Sequence, residues 1–318
     1  MTELPADLGA AVRRLAEGRQ GLSDSSQRIS EHYRQRGASR QVIGGADDAI
    51  AYALSRMPAT YAAVSAVLEE VQVRAPGFAP RTLLDAGAGP GTAAWAVAEA
   101  FEGIASTLMD HNRSFLELAG RLAEGTALAG AELLKADLGQ FELAKRYDLV
   151  TCAYALTELS DAEMLVSAER LWRHSDGLLA IIEPGRPRDY QRLMAVRRRL
   201  IELEGRVLAP CPHQQECPLT EPDWCHFSVR LNRSREHMRM KGGTLGYEDE
   251  KYSYLVVARP GIGAPAPGRV LRRPEENKFS VTLALCGADG LETRVVPSRD
   301  KPAFKAAKRL DWGDATDD

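Results

Sequence analysis

Between residues 82 and 183 short apolar runs alternate with amphipathic stretches, and no other feature narrows the possible folds as much. The runs cover 82–86, 106–110, 132–136, 147–153 and 178–183, with helical patterns from Thr92, over 112–124 and from Ser160. Short apolar strands separated by amphipathic helices belong to a parallel sheet covered on both faces. The expected architecture is therefore α/β, a doubly wound Rossmann-like sheet. Residues 5–75 read as helical ahead of it: Leu8, Val12 and Leu15 recur at helical spacing, Ser23 and Asp24 resemble a cap, and 46–73 is one long Ala-rich stretch. Prolines at 76 and 80 break the chain before the first strand.

Residues 186–250 interrupt the rhythm with an Arg-rich helix, a Cys/Pro/His segment and a polar stretch, and 252–258 resumes as a strand. The run PGIGAPAP at 260–267 reads as a linker. Beyond it, 269–271, 279–285 and 293–296 alternate like a small antiparallel unit turning at Asp289-Gly290. The expected division is a helical region over 1–75, a cofactor-binding domain over 76–259 with a Cys-rich insertion at about 205–245, and a small β-unit over 268–312.

The hydrophobic fraction of 44% and charged fraction of 27% are those of an ordinary globular chain. No stretch approaches the roughly 18 consecutive apolar residues of a membrane helix. The first twenty residues carry Glu3 and Asp7 and no apolar core, so neither a secretory signal nor an acid-poor transit peptide is expected. A cytoplasmic protein without a membrane partner is the resulting expectation. The net charge of −3 hides a segregated distribution. Arg186, Arg188, Arg192, Arg197, Arg198, Arg199 and Arg206 crowd one segment; Arg230, Arg233, Arg235, Arg239 and Lys241 form a second; Lys301, Lys305, Lys308 and Arg309 form a third. Such clusters make either a nucleic-acid face or a set of solvated helix faces.

Asp85-Ala-Gly87-Ala-Gly89-Pro-Gly91-Thr closes the first strand and opens a helix. Glycines there let the backbone turn sharply and approach a ligand, and the helix start presents free N–H groups. Asp110 follows 25 positions after Asp85, where a carboxylate accepts bonds from ribose hydroxyls. The alternate spacing of the glycines resembles the first motif of class I methyltransferases, whereas the dinucleotide pattern of dehydrogenases leaves a wider second gap. That resemblance implies S-adenosylmethionine (AdoMet) bound by Asp85, Gly87, Gly89, Gly91 and Asp110. Asp137 falls where that class meets the adenine amine, and a helix cap is its alternative role.

Cys211, Cys217 and Cys225 lie within fifteen residues, two of them followed by proline, and Cys286 lies in the β-unit. Thiolates are soft ligands, so four converging ones select zinc or an iron–sulfur cluster. Short C-x₂-C knuckles are absent, and the wide gaps suit a cluster; His213 and His226 keep a Cys₃His zinc site open. Cys152, on an apolar strand, reads as core. The compact C-x₃-C-x₂-C pattern of radical AdoMet chemistry is absent as well.

The segment Cys-Pro-His…Cys-Pro…Asp-Trp-Cys-His-Phe, the Glu-Pro-Gly at 183–185 and the Ser253-Tyr254-Leu255 strand resemble the methyltransferase-like proteins of the mitochondrial small ribosomal subunit and their bacterial relatives. The resemblance spans roughly 40–312. It implies a class I methyltransferase domain, a [4Fe–4S] cluster on Cys211, Cys217, Cys225 and Cys286, and a role in assembling the small ribosomal subunit through its rRNA. Without a transit signal, a bacterial member is expected, monomeric off the ribosome. Tyr190, Trp224 and Phe227 are candidate stacking surfaces for bases.

No catalytic residue can be named. The place after the fourth strand holds Cys152-Ala-Tyr-Ala-Leu-Thr-Glu158 instead of the (Asn/Asp)-Pro-Pro-(Tyr/Phe) of amino-directed methyltransferases. Tyr154 and Glu158 remain candidate pocket residues. Two functions are carried forward: a methyltransferase acting on rRNA or a ribosomal protein, and an assembly factor that keeps AdoMet as a structural ligand.

Overall fold

A computed structural model describes residues 2–34 and 42–316. Four helices lead the chain: α1 (Ala6–Ala16), α2 (Leu22–Arg34), α3 (Ala46–Ser55) and α4 (Met57–Arg74). The stretch expected as one helix over 46–73 is two, because Pro58 stands in the first turn of α4. Proline is tolerated there but cannot continue a helix begun before it.

The main sheet then forms from β1 (Thr82–Ala86), β2 (Ala105–Asp110), β3 (Glu132–Lys135), β4 (Tyr147–Ala153), β5 (Ser175–Pro184), β6 (Arg206–Ala209), β7 (Phe227–Asn232) and β8 (Tyr247–Ala258). Its order is β3-β2-β1-β4-β5-β8-β6, with β7 also on β8. Strands β1 to β5 run parallel, and β8 runs antiparallel to β5, β6 and β7. Helices α4, α5 (Thr92–Ala100) and α6 (Arg113–Ala123) cover one face; α7 (Asp161–Arg173) and α8 (Pro187–Glu202) cover the other. The doubly wound α/β architecture and its class I methyltransferase-like topology are thus present, and the strand order reverses between β1 and β4. Open sheets of this kind bind ligands beyond the carboxyl ends of strands at that reversal.

The expected Cys-rich insertion over 205–245 requires correction. β6 and β7 are members of the main sheet, and α9 (Arg235–Lys241) joins β7 to β8. β8 has twelve residues, and β5 uses only Tyr252–Ala258. Its opposite edge is shared by β6, which ends at Val256, and β7, which begins at Tyr252. Residues 210–226 are the excursion thrown out between those two partners.

A second sheet contains β9 (Gly268–Val270), β10 (Glu275–Glu276), β11 (Ser280–Gly287), β12 (Gly290–Pro297) and β13 (Ala315–Thr316). It packs Val281, Leu283, Leu285 and Val296 against α10 (Lys301–Ala307) as a separate small core. The Pro- and Gly-rich link before it does not hang free. Ala264 donates its N–H to the Arg74 carbonyl at 3.0 Å, and Ala266 is buried. Among the described residues no helix is long and apolar enough to cross a membrane.

Candidate cofactor pocket and cysteine site

The turn after β1 is held by its neighbours' backbone. Gly87 and Ala88 donate their N–H groups to the Met109 carbonyl at 2.8 and 3.0 Å. Gly87 has φ +71°, and a Cβ there would lie 2.5 Å from Ala155 Cβ, so only glycine fits between turn and loop. Asp110 accepts from the N–H of Gly89 at 2.8 Å and of Asn112 at 2.7 Å, locking the turn to the end of β2. Burial raises its pKa, against the pull of these donors. Asn112 caps α6 by accepting from the Ser114 and Phe115 N–H groups, and its amide donates to the Ile43 carbonyl. One residue thereby fastens the segment before α3 onto the pocket.

Gly87, Gly89, Asp110 and Asp137 line a single cavity with Tyr52, His111, Phe115, Tyr154 and Glu158. Asp85 and Gly91 do not. Gly91 is the left-handed residue before α5 and packs on Leu108. Asp85 is buried behind the turn, accepting from Thr151 Oγ1 at 3.0 Å and the Ala94 N–H at 3.1 Å. Asp137 caps no helix; its carboxylate accepts from the Gly139 N–H within a turn while lining the cavity.

Burial moves the Asp85 carboxyl up to about 7. A carboxyl raised in the folded state loses stability as pH rises, because the unfolded chain ionises first. Asp85→Asn keeps a neutral group with both hydrogen-bonding roles. Relative to this variant, wild type should lose stability between about pH 4 and 7, at up to about 1.4 kcal/mol per pH unit. Urea unfolding at several pH values reads the difference; parallel curves for the two proteins would refute it.

The far wall is the loop after β4, and little in the sequence announced how it is held. Tyr154 adopts φ +57°, donates its N–H to the Ile182 carbonyl at 2.7 Å and its hydroxyl to Glu250 at 3.0 Å. Buried Glu183 accepts from the Leu156 and Thr157 N–H groups at 3.0 Å each, and burial with nearby Asp189 raises it to about 8. Arg192 donates to the Leu156, Thr157 and Leu159 carbonyls and pairs with Asp161 at 2.8 Å.

Cys211, Cys217, Cys225 and Cys286 line one mainly apolar cavity with His213, Tyr190 and Arg269. Three cysteines come from the excursion at 210–226 and the fourth from β11 of the other sheet. Among the described residues no group of three or more His, Cys, Asp or Glu is arranged to hold a metal ion. Burial, reinforced by the neighbouring thiols, raises the pKa of Cys225, and the same causes push Cys286 up to about 12. Tyr190 Oη lies 3.0 Å from Cys217 Sγ, and His213 Nε2 lies 3.5 Å from Cys286 Sγ. Two arginines approach: Arg269, paired with Glu70 at 2.6 Å, and Arg197, which lies beside Cys211. His226 is used elsewhere, stacked 4.7 Å from Trp224 and edge-on to Trp312. Cys152 is buried in the main core, away from this cavity.

The basic clusters divide sharply. In the first, Arg192 and Arg197 are buried, Arg198 pairs with Glu216, and Arg199 pairs with Glu169 and Glu202. Arg192 and Arg197 thus brace the interior while Arg186, Arg198 and Arg206 stay exposed, a division that one-dimensional charge density concealed. In the second, Arg230 pairs with Asp249, and Arg233 and Lys241 pair with Glu248. In the third, Lys301, Lys305 and Arg309 are exposed with no ion-pair partner among the described residues, while Lys308 pairs with Glu276. Of the candidate stacking residues, Tyr190 and Phe227 are buried, and Trp224 donates its ring N–H to the Gly185 carbonyl.

A family model described as mitochondrial small ribosomal subunit Rsm22 matches residues 46–317. The human mitochondrial ribosome assembly protein METTL17 is 28% identical over 293 residues, covering 83% of this chain and 61% of the relative. The mitochondrial Rsm22-cox11 tandem protein 2 of Schizosaccharomyces pombe is 24% identical over 328 residues, covering 83% of this chain and 42% of the relative. The chain therefore spans between about two fifths and three fifths of these relatives' lengths. Among solved structures, the AdoMet-bound magnesium protoporphyrin IX methyltransferase of Synechocystis PCC 6803 aligns with a TM-score of 0.43 at 14% identity, covering 81% of this chain and 100% of that one.

Proposed function

The chain belongs to the Rsm22 family of the mitochondrial small ribosomal subunit, and from that premise we propose that it is an AdoMet-binding, iron–sulfur assembly factor for a small ribosomal subunit. The observation that carries the reading is the convergence of Cys211, Cys217 and Cys225 from the 210–226 excursion and Cys286 from the second sheet on one cavity. The donor set fits a cluster: four soft ligands, no carboxylate among the lining residues, and buried arginine charge beside the thiols. A single zinc ion needs its four sulfurs about 3.8 Å apart, given a Zn–S bond of about 2.3 Å. A four-iron cluster needs them spread around a larger body.

AdoMet is assigned to the cavity under Gly87 and Gly89, with Asp110 for the ribose hydroxyls and Asp137 at the adenine end. Position at the strand-order reversal and the close, glycine-only approach of the turn support this. When bound, AdoMet supplies an activated methyl group; the chain's own residues bind and orient it. Tyr154 and Glu158 face that cavity and are the candidates to meet an acceptor. We assign the rRNA contact to α10 and the turn after it, where Lys301, Lys305 and Arg309 are exposed and able to meet phosphates, with Phe279 at 67% exposure on the same small β-unit.

Anaerobic purification followed by visible spectroscopy and iron, sulfide and zinc analysis tests the metal. About four irons and four sulfides per chain are expected; a colourless zinc protein without sulfide would overturn the cluster. Co-sedimentation with purified small subunits tests the partner. Binding should weaken steeply with salt, and Lys301→Glu with Lys305→Glu should flatten that slope by about two phosphate contacts. Labelled AdoMet in the same mixture decides turnover.

A further inference from the structure

Helix α8 carries most of the first arginine cluster, and one of its faces is turned on the cysteines. Tyr190, Met194 and Arg197 recur four and three residues apart, which places them on one stripe. Tyr190 is 5% exposed with its hydroxyl 3.0 Å from Cys217 Sγ. A thiolate that ligates a metal has no proton to give, so Tyr190 must be the donor when the site is filled.

Arg197 differs from its neighbours on the same helix. Arg192, Arg198 and Arg199 each pair with a carboxylate. Arg197 is 3% exposed, donates one N–H to the His213 carbonyl at 2.8 Å and leaves its buried Nε without a hydrogen-bond partner. No ion pair to a carboxylate is formed by Arg197 among the described residues. A buried guanidinium without a counter-charge is strongly unfavourable. Four thiolates around a [4Fe–4S]²⁺ core leave two negative charges, and Arg197 lies beside the Cys211 thiol.

We infer that Tyr190 and Arg197 are positioning residues for the cluster: Tyr190 holds the Cys217 ligand by donating a hydrogen bond, and Arg197 is the buried counter-ion of the ligand set. Together they stabilise the more negative, reduced cluster. This rests on the iron–sulfur reading above and adds to it a part of the chain whose charge, read from sequence, fitted either a nucleic-acid face or solvated helix faces.

The test compares wild type, Tyr190→Phe, Arg197→Gln and Arg197→Lys, all purified without oxygen. Iron and sulfide content is measured first, then the midpoint potential by dithionite titration followed by electron paramagnetic resonance. Tyr190→Phe removes one oxygen and should keep its iron. Its reduction equilibrium should fall about fivefold, the weight of one hydrogen bond, or about 40 mV at 59 mV per decade. Arg197→Gln should shift the potential in the same direction, and Arg197→Lys should restore most of it. Potentials unchanged at full iron content overturn the inference while leaving the cluster intact. Wild type without iron and sulfide overturns the cluster reading itself. If Arg197→Gln does not fold, Tyr190→Phe decides alone.

Discussion

Protein carrying Cys225→Ser, purified without oxygen, is expected to lose its iron and sulfide and to melt roughly 5–8 °C below wild type. Serine offers a hard, protonated oxygen that cannot replace a soft thiolate. The other anchors of the excursion at 210–226 are single side-chain contacts, none of which joins all three of its cysteine-bearing turns. Ser253 Oγ donates to the Cys225 carbonyl at 2.9 Å, Trp224 donates to the Gly185 carbonyl at 3.1 Å, and Gln214 bonds the backbone of Val207. Cys286 ties this loop to the second sheet, where Arg269 adds one bond to the Pro210 carbonyl at 3.2 Å. Losing the metal leaves three unligated thiols and an uncompensated Arg197. Breaking a buried charged pair costs about 3–5 kcal/mol, and a chain of this size loses roughly 1.5 °C per kcal/mol, which gives the shift above. Cys152→Ala is the control: it lies in the main core and should keep full iron despite a cavity penalty. Retention of wild-type iron and sulfide by Cys225→Ser would remove Cys225 from the ligand set.

The contrast between what the sequence disclosed and what it hid follows interaction range. Strands β1, β2, β4 and β5 were legible because each is an apolar run largely buried on both faces, a pattern written locally, whereas β3 sits exposed at the sheet edge. The turn at Gly87 and Gly89 was legible because glycine is demanded by backbone conformation at the residue itself. β6 and β7 were missed, and with them the true extent of the cysteine excursion. Arg206–Ala209 is only four residues, and Phe227–Asn232 alternates with polar residues at a sheet edge. Each is a strand only because β8 is long enough to offer it an edge. The roles of the arginines of α8 stayed open for a related reason. Arg192 is buried and Arg198 exposed, and their partners Asp161 and Glu216, like Glu169 for Arg199, are not neighbours in sequence. Asp85 looked like a cofactor contact from its place in the motif, but Thr151 and Ala94 occupy its carboxylate from behind. Glu183 belongs to a quoted Glu-Pro-Gly, yet nothing local said that it would brace the pocket wall.

Gly87→Val should abolish measurable AdoMet binding, raising Kd at least 100-fold by calorimetry, which corresponds to about 2.7 kcal/mol. Two penalties combine at this residue. A left-handed φ of +71° costs a residue with a side chain about 1–2 kcal/mol, and more for a β-branched one. A Cβ would also stand 2.5 Å from Ala155 Cβ, so the loop carrying Tyr154 and Glu158 must retreat. Retreat is resisted, because Glu183 holds Leu156 and Thr157 by their N–H groups and Arg192 holds three carbonyls of the same loop. The turn must yield instead, and it carries the Gly89 N–H that fixes Asp110. Gly125→Ala is the matched control, since it shares a positive φ of +74° but faces open space. It should bind AdoMet as wild type does. AdoMet affinity within tenfold of wild type in Gly87→Val would show that AdoMet does not occupy this cavity. The same variant should retain its iron, because Gly87 touches none of the cysteine-bearing segments. Small-subunit binding then separates the two functions: a resident structural ligand requires that subunit binding fall with AdoMet affinity, whereas a methyltransferase loses only methyl transfer.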